Sequence, residues 1–288
     1  MIVCPRCSLH HASQDAFCPA CGYVPASLNG FPAWAPEMAN AGGGFHESFF
    51  PELARLEAGN FWFEARNAII VRTLRRFFPQ FRSFLEIGCG TGFVLSGIAH
   101  AFPDVRLVGT EIFIAGLPFA AARVPSASFA QMDARRLPYT AEFDVVGAFD
   151  VIEHIEEDVD ALENLKRAVK PGGGVIISVP QHKWLWSEID KQSFHFRRYE
   201  RRDLHEKIEG VGLEIVYSTS FVSLLLPLMF LSRRRNSESP ELDAGRELRL
   251  GRATNASLRA VMRFESLILA TGLTFPVGGS RLVVARRP

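Results

Sequence analysis

The sequence lacks several things that would define other classes of protein. It has no long apolar run. The nearest approach, Phe221–Ser232, is about a dozen residues and falls short of a bilayer span. No apolar leader follows a basic start, because Cys4-Pro5-Arg6-Cys7 comes at once. A cytoplasmic location is therefore expected. Net charge is nearly absent: 32 Lys and Arg stand against 31 Asp and Glu, for +1. That balance gives no strong field for gripping polyphosphate and disfavours an obligate nucleic-acid binder. Only one of the five cysteines, Cys89, lies beyond residue 21, and no internal repeat occurs. Low apolar content is not among the deficits. With 48% hydrophobic and 22% charged residues, global disorder is excluded, and 24 Phe supply ample core. The 288 residues fit one large domain with a small satellite.

Cys4-x2-Cys7 and Cys18-x2-Cys21, ten residues apart, are two knuckles that can set four thiolates tetrahedrally around one zinc ion. A segment this short buries little core, so a metal would supply its folding energy. Residues 1–25 are read as a zinc ribbon. Disulfides are out of place without a secretion signal, and four thiolates leave no open position for a catalytic zinc. Residues 26–59, with Pro32, Pro36 and Gly42-Gly43-Gly44, read as a linker and loop region. Three roles are open to the ribbon, docking a protein partner, dimerisation or bracing the lid, and the sequence does not rank them.

From Asn60 the apolar residues recur at helical spacing through Ile69, Ile70 and Leu74 to Phe78, and Pro79 stops the helix. The cluster Phe61-Trp62-Phe63 is either core or a lid over a ligand. Then Ser83–Ile87 reads as a strand, Glu86-Ile-Gly88-Cys-Gly90-Thr-Gly92 as a turn, and the next residues as a helix. Strand, glycine turn and helix form the first unit of a doubly wound sheet. Further strands are expected at 105–109, 127–131, 143–149, 175–179, 213–218 and 282–285. Glu111 falls just past the second of these strands, where a carboxylate can accept both hydroxyls of a ribose.

On these markers, with Asp133, Asp150-Val-Ile-Glu-His154 and Lys170-Pro-Gly-Gly173, the chain resembles class I S-adenosylmethionine-dependent methyltransferases. The resemblance covers about residues 60–220 and the last strand. It implies a Rossmann-like seven-stranded α/β sheet over 60–288, its last strand antiparallel and inserted beside the fifth. An apolar helical insertion at about 221–272 precedes that strand. It further implies S-adenosylmethionine as cofactor. Glu86, Gly88, Gly90 and Gly92 would face its methionine part and Glu111 its ribose. Asp133 and Ala134 would meet its adenine, and Asp150 would line the pocket near the sulfonium. Capping of a helix is the other role open to Asp133.

Methyl transfer is an in-line displacement for which the protein supplies alignment and a dry pocket. An oxygen acceptor must also lose a proton. His195 and His154 are the candidate bases, His195 first. The loop Trp184–Tyr199 resembles a recognition surface of a methyltransferase subgroup, with Trp186, Asp190, Arg198 and Tyr199, together with Trp62, as candidate substrate contacts. Glu153, Glu157 and Asp158 read as a solvated acidic helix start rather than a cation site. The apolar stretch beside Arg233-Arg234-Arg235 suits either packing over the site or peripheral contact of 221–235 with the inner membrane face. The expected activity is methylation of a small or lipid-like acceptor at oxygen. The alternatives are an RNA methyltransferase gripping RNA through its ribbon, and a non-catalytic module that binds cofactor or protein.

Overall fold

The computed structural model describes residues 1–12, 17–40, 49–236 (side chains to 233) and 249–288. The glycine run at 42–44 and most of the polar stretch 236–255 lie outside the described residues. Strands are β1 (Ile2–Val3), β2 (His10–His11), β3 (Ala26–Leu28), β4 (Phe31–Ala33), β5 (Ser83–Ile87), β6 (Arg106–Glu111), β7 (Ser128–Gln131), β8 (Phe143–Phe149), β9 (Val169–Pro180), β10 (Glu214–Phe221) and β11 (Ser280–Arg286). Helices are α1 (Phe50–Leu56), α2 (Phe61–Phe77), α3 (Phe93–Ala101), α4 (Leu117–Arg123), α5 (Asp158–Ala168), α6 (Glu188–Gln192), α7 (Arg201–Gly210), α8 (Leu226–Asn236) and α9 (Arg252–Ala270).

The main sheet runs β10-β11-β9-β8-β5-β6-β7-β4-β3. Strands β5 to β9 pair parallel, and β11 enters antiparallel between β9 and β10. This is the expected seven-stranded arrangement with two strands added. The addition is a correction to the linker reading of 26–59. Strands β3 and β4 form a hairpin, and β4 joins the sheet edge through Ala33 opposite Gln131. Its turn is Asn29-Gly30, both at positive φ, the backbone that a two-residue hairpin requires.

Alternation along the strands builds a core on each face. Leu85, Val146 and Ile177 point to one side, against Leu162 and Leu165 of α5 and Leu204 and Ile208 of α7. Phe84, Val145 and Ile176 point to the other, against Ile70 and Leu74 of α2 and Leu95 and Ile98 of α3. Both faces are thus covered, as a parallel sheet demands. Helix α9 lies beside α2, and Asn255 holds them in register by accepting from Phe61 N at 2.9 Å. No helix among the described residues is long and apolar enough to cross a membrane.

The cysteine segment pairs β1 with β2 and docks on the domain. Val3 N donates to Pro138 O at 2.7 Å, and Thr140 N donates to Met1 O at 2.9 Å. Ile2 is buried in the same core as Tyr139 and Phe143.

Candidate active site

The four cysteine sulfurs converge. Cys4 Sγ lies 3.6 Å from Cys21 Sγ, and Cys7 Sγ lies 3.5 Å from Cys18 Sγ. Four thiolates bound tetrahedrally at about 2.3 Å would stand about 3.8 Å apart. The donor set therefore fits zinc, with no position left for substrate.

The second site lies at the carboxyl edge of the sheet, where β5, β6, β8 and β9 end. β5 delivers Glu86 into a buried position with Oε2 unpartnered. Burial pushes its carboxyl up to about 8; Arg66 works against the shift, and Glu111 and Glu57 add to it. The turn that follows needs glycine. Gly88, Gly90 and Gly92 all have positive φ. A Cβ at Gly88 would meet Val151 Cγ2 at 2.5 Å, whereas one at Gly90 would meet nothing within 4 Å. The chain thus closes on Gly88 and leaves room over Gly90. An open turn beside an orphaned buried carboxylate fits the methionine part of S-adenosylmethionine.

Glu111 closes the turn from β6. It accepts from Gly90 N and Ile112 N at 2.9 Å and from Phe113 N at 3.2 Å. Burial raises its pKa, and these three N–H groups temper the rise. Its carboxylate therefore shapes the loop. Asp133 caps the turn at Ala134–Arg136 through Arg135 N at 2.9 Å, and both its oxygens accept from the Arg135 side chain. The capping role is the one its bonds describe. Buried Ala134 follows in the same turn.

Asp150 follows β8 at φ 57° and pairs with Arg66 of α2. Arg66 lies over the Trp62 ring, 4.5 Å from its centroid. Trp62 is half-buried and braces this cation, while the neighbouring Phe63 is core. The aromatic cluster is thus both core and wall.

The loop after β9 folds back on the turn at 152–154. Phe196 N donates to Glu153 O and His195 N to Asp190 O, both at 2.8 Å. This brings His195 against His154, with ring centroids 4.6 Å apart. His195 Nδ1–H donates to Asp190 Oδ1 at 2.9 Å. Asp190 is fully buried and also accepts from Arg198 Nε at 2.7 Å and Arg233 Nη1 at 3.0 Å. Burial acts upward on its carboxyl. The His195 bond and the two arginines outweigh it and hold Asp190 well below the usual range. Burial and then His195 push His154 down to about 3, so it is neutral.

Three candidate substrate contacts are corrected here. Asp190, Arg198 and Tyr199 are buried and form the loop's frame. Arg198 also donates to Gln181 O, and Tyr199 OH donates to Asp158 Oδ2 at 2.6 Å. Trp186 remains on the surface. The acidic start is corrected too. Asp158 is taken by Tyr199, Lys207 and Arg197, and Glu157 by Arg135. Glu153 is wholly buried with neither oxygen partnered, and burial, then Asp150, push its pKa well up.

Sequence reasoning missed Arg66, Arg233 and the knot in which Thr91 Oγ1 and Arg123 Nη1 both donate to Glu57 Oε2 at 2.6 Å. Glu57 sits just before a Gly59-Asn60 break, and Asn60 caps α2 by accepting from Trp62 N. That cap was the available signal that structure begins ahead of α2.

A Rossmann-like sheet with a glycine turn and acidic strand ends at its carboxyl edge defines a nucleotide-cofactor domain. Comparison with known proteins narrows this. Residues 85–175 match the family model described as Methyltransferase domain. Within this stretch the chain is similar to S-adenosylmethionine-dependent methyltransferases. It is 29% identical over 159 residues to a Mycolicibacterium smegmatis protein named as a probable S-adenosylmethionine-dependent methyltransferase, covering 54% of this chain and 60% of that one. It is 25% identical to the malonyl-[acyl-carrier protein] O-methyltransferase of Enterobacter lignolyticus, covering 59% of this chain and 70% of that one. Its fold is like that of Haemonchus contortus phosphoethanolamine N-methyltransferase 2, solved with S-adenosyl-L-methionine. There the TM-score is 0.52 at 21% identity, over 75% of this chain and 51% of that one.

Proposed function

We propose that the protein transfers a methyl group from S-adenosylmethionine to an oxygen of a small or lipid-like acceptor. The observation that carries the proposal is the sheet edge itself. There an orphaned Glu86, an open Gly90 turn and the Arg66–Asp150 pair adjoin a histidine held by a buried aspartate.

The cofactor supplies the electrophilic methyl when bound. Glu86 would face its ammonium, Glu111 its ribose and the Asp133–Ala134 turn its adenine. Arg66 holds Asp150 just past the end of β8. An acceptor hydroxyl must lose its proton, and His154 and His195 form the polar cluster at which it leaves. Asp190 fixes the His195 tautomer, leaving Nε2 for the acceptor side.

The apolar nature of the acceptor is supported by the outer wall. Trp184, Trp186, Phe194 and Phe196 of the loop and Leu228 and Leu231 of α8 are all exposed. The two elements are tied together. Trp184 packs on Phe230 with ring centroids 5.6 Å apart, and Arg233 donates to Ser187 Oγ at 2.8 Å. Such a surface suits an amphipathic substrate or the face of a membrane. Arg233 itself is spent on Asp190, so it adds no free charge to that face.

The test is transfer of labelled methyl from S-adenosylmethionine to a panel of apolar phenols and prenyl-linked hydroxyl compounds. Labelled product with some member is expected, and more with the apolar members than with water-soluble analogues. A protein that binds the cofactor yet labels only RNA or protein would overturn the acceptor reading.

A further inference from the structure

We infer that Glu153, His154 and His195 form a binding site for a divalent transition-metal ion, separate from the cysteine cluster. One ligand atom from each of the three lies within 4.8 Å of the other two. Ligands on an ion at about 2.1 Å stand about 3 to 4 Å apart. Closure therefore asks for side-chain rotations of about an ångström.

The cluster looks like a site rather than a packing accident because of what it leaves undone. Glu153 is wholly buried, and neither of its oxygens has a hydrogen-bond partner. A buried carboxylate without a partner is costly and rare. The nearby arginines ease its charge from a distance, but neither donates a hydrogen bond to it. Arg66 is paired with Asp150, and Arg198 with Asp190 and Gln181 O. His154 Nδ1 is likewise buried and unpartnered. His195 gives its Nδ1–H to Asp190 at 2.9 Å and so keeps the Nε2 lone pair. A carboxylate behind a ligating histidine is the usual support of a metal site, since it fixes the tautomer and raises the ring's basicity.

The donor set decides the class of ion. One carboxylate and two imidazoles suit first-row divalent ions such as Mn(II), Fe(II), Co(II) and Zn(II) rather than Mg(II) or Ca(II), which favour all-oxygen shells. Three protein ligands leave positions open, and His154 and His195 are half-buried, so water or an acceptor oxygen can reach the ion. The use of the ion rests on the methyltransferase reading: it would hold an acceptor oxygen and lower its pKa, with the two histidines then acting as ligands in place of a free base. The existence of the site does not rest on it.

The experiment titrates Mn(II) into the full, zinc-loaded chain and counts free ion by electron paramagnetic resonance. Manganese has little affinity for thiolates, so the cysteine cluster does not contribute. One bound Mn(II) per chain is expected, displaced by one further equivalent of Zn(II). In Glu153→Gln the affinity should fall by at least about 100-fold, the upper end of what loss of an outer-shell partner alone costs. His154→Asn, at the half-exposed edge, gives the same readout if Glu153→Gln does not fold. S-adenosylhomocysteine binding is measured on the same samples. Absence of bound Mn(II) and of any zinc beyond the cysteine site overturns the inference, as does unchanged Mn(II) affinity in a folded variant. Metal binding without cofactor binding would leave the site standing and sink the methyltransferase reading.

Discussion

Replacing Glu86 by Gln tests the electrostatics of the cofactor turn. Glu86 is buried, its Oε2 has no partner, and its pKa stands at about 8 rather than 4.5. The sign follows from linkage. A carboxyl whose folded pKa is raised contributes fully below its unfolded pKa, and that contribution is lost as pH climbs through the folded pKa. Between pH 5 and pH 8 the wild type should therefore lose about 3 kcal/mol relative to Glu86→Gln, which has no proton to keep. Denaturant unfolding of both proteins at several pH values reads this difference directly, and other titrating groups cancel. Cofactor affinity should move the opposite way. Loss of a charge-assisted bond to the cofactor ammonium costs about 1.5–3 kcal/mol, or about 10- to 100-fold in Kd. Binding to the wild type near pH 7 should also release a proton, visible as a dependence of the binding heat on buffer. If the two stabilities run parallel from pH 5 to pH 8, Glu86 ionises normally in the free protein and the reasoning is wrong.

Glu111 should separate two roles. Glu111→Gln keeps an acceptor for the turn and should weaken S-adenosylhomocysteine binding by about 10-fold or more. Glu111→Ala strands the N–H groups of Gly90, Ile112 and Phe113, and should lower Tm as well. Equal melting of the two variants would show that the loop does not depend on this carboxylate. Chelation of zinc should free the cysteine segment. Hydrogen exchange should then rise at Val3 and Thr140, whose amides bond across the ribbon contact, while β8 and β9 stay protected. Unchanged exchange at these two amides would show that the contact survives without metal.

Much of the fold was legible because the parallel strands are short apolar runs set between helices of clear period. Ser83–Ile87 and Phe143–Phe149 were readable to the residue. The hairpin at 26–33 was not read, although Leu28-Asn29-Gly30-Phe31 carries the strongest short turn signal. Two prolines and few apolar residues made the stretch look like linker. Helix α9 lies within the apolar insertion expected at 221–272, but its start at Arg252 was not readable, because its first turns are mostly exposed and carry little apolar pattern. The glycine turn and the strand-end acids were legible as a motif. What each side chain does was not. Asp190, Arg198 and Tyr199 look like a polar recognition loop in sequence, and only the fold shows them buried. Glu153 has the opposite disguise, since nothing local distinguishes it from Glu156 and Glu157, which are exposed.

The account stands on the open turn at Gly90 being the cofactor's seat. The most direct measurement is calorimetric titration of S-adenosylhomocysteine into the zinc-loaded wild type and Gly90→Ala. The added methyl meets no atom of the chain within 4 Å, so the variant should pay only the strain of a positive φ, about 1 kcal/mol. The account predicts micromolar binding by the wild type and loss of most of it by a variant that still folds. A folded wild type that does not bind, or a variant that binds equally well, would contradict it.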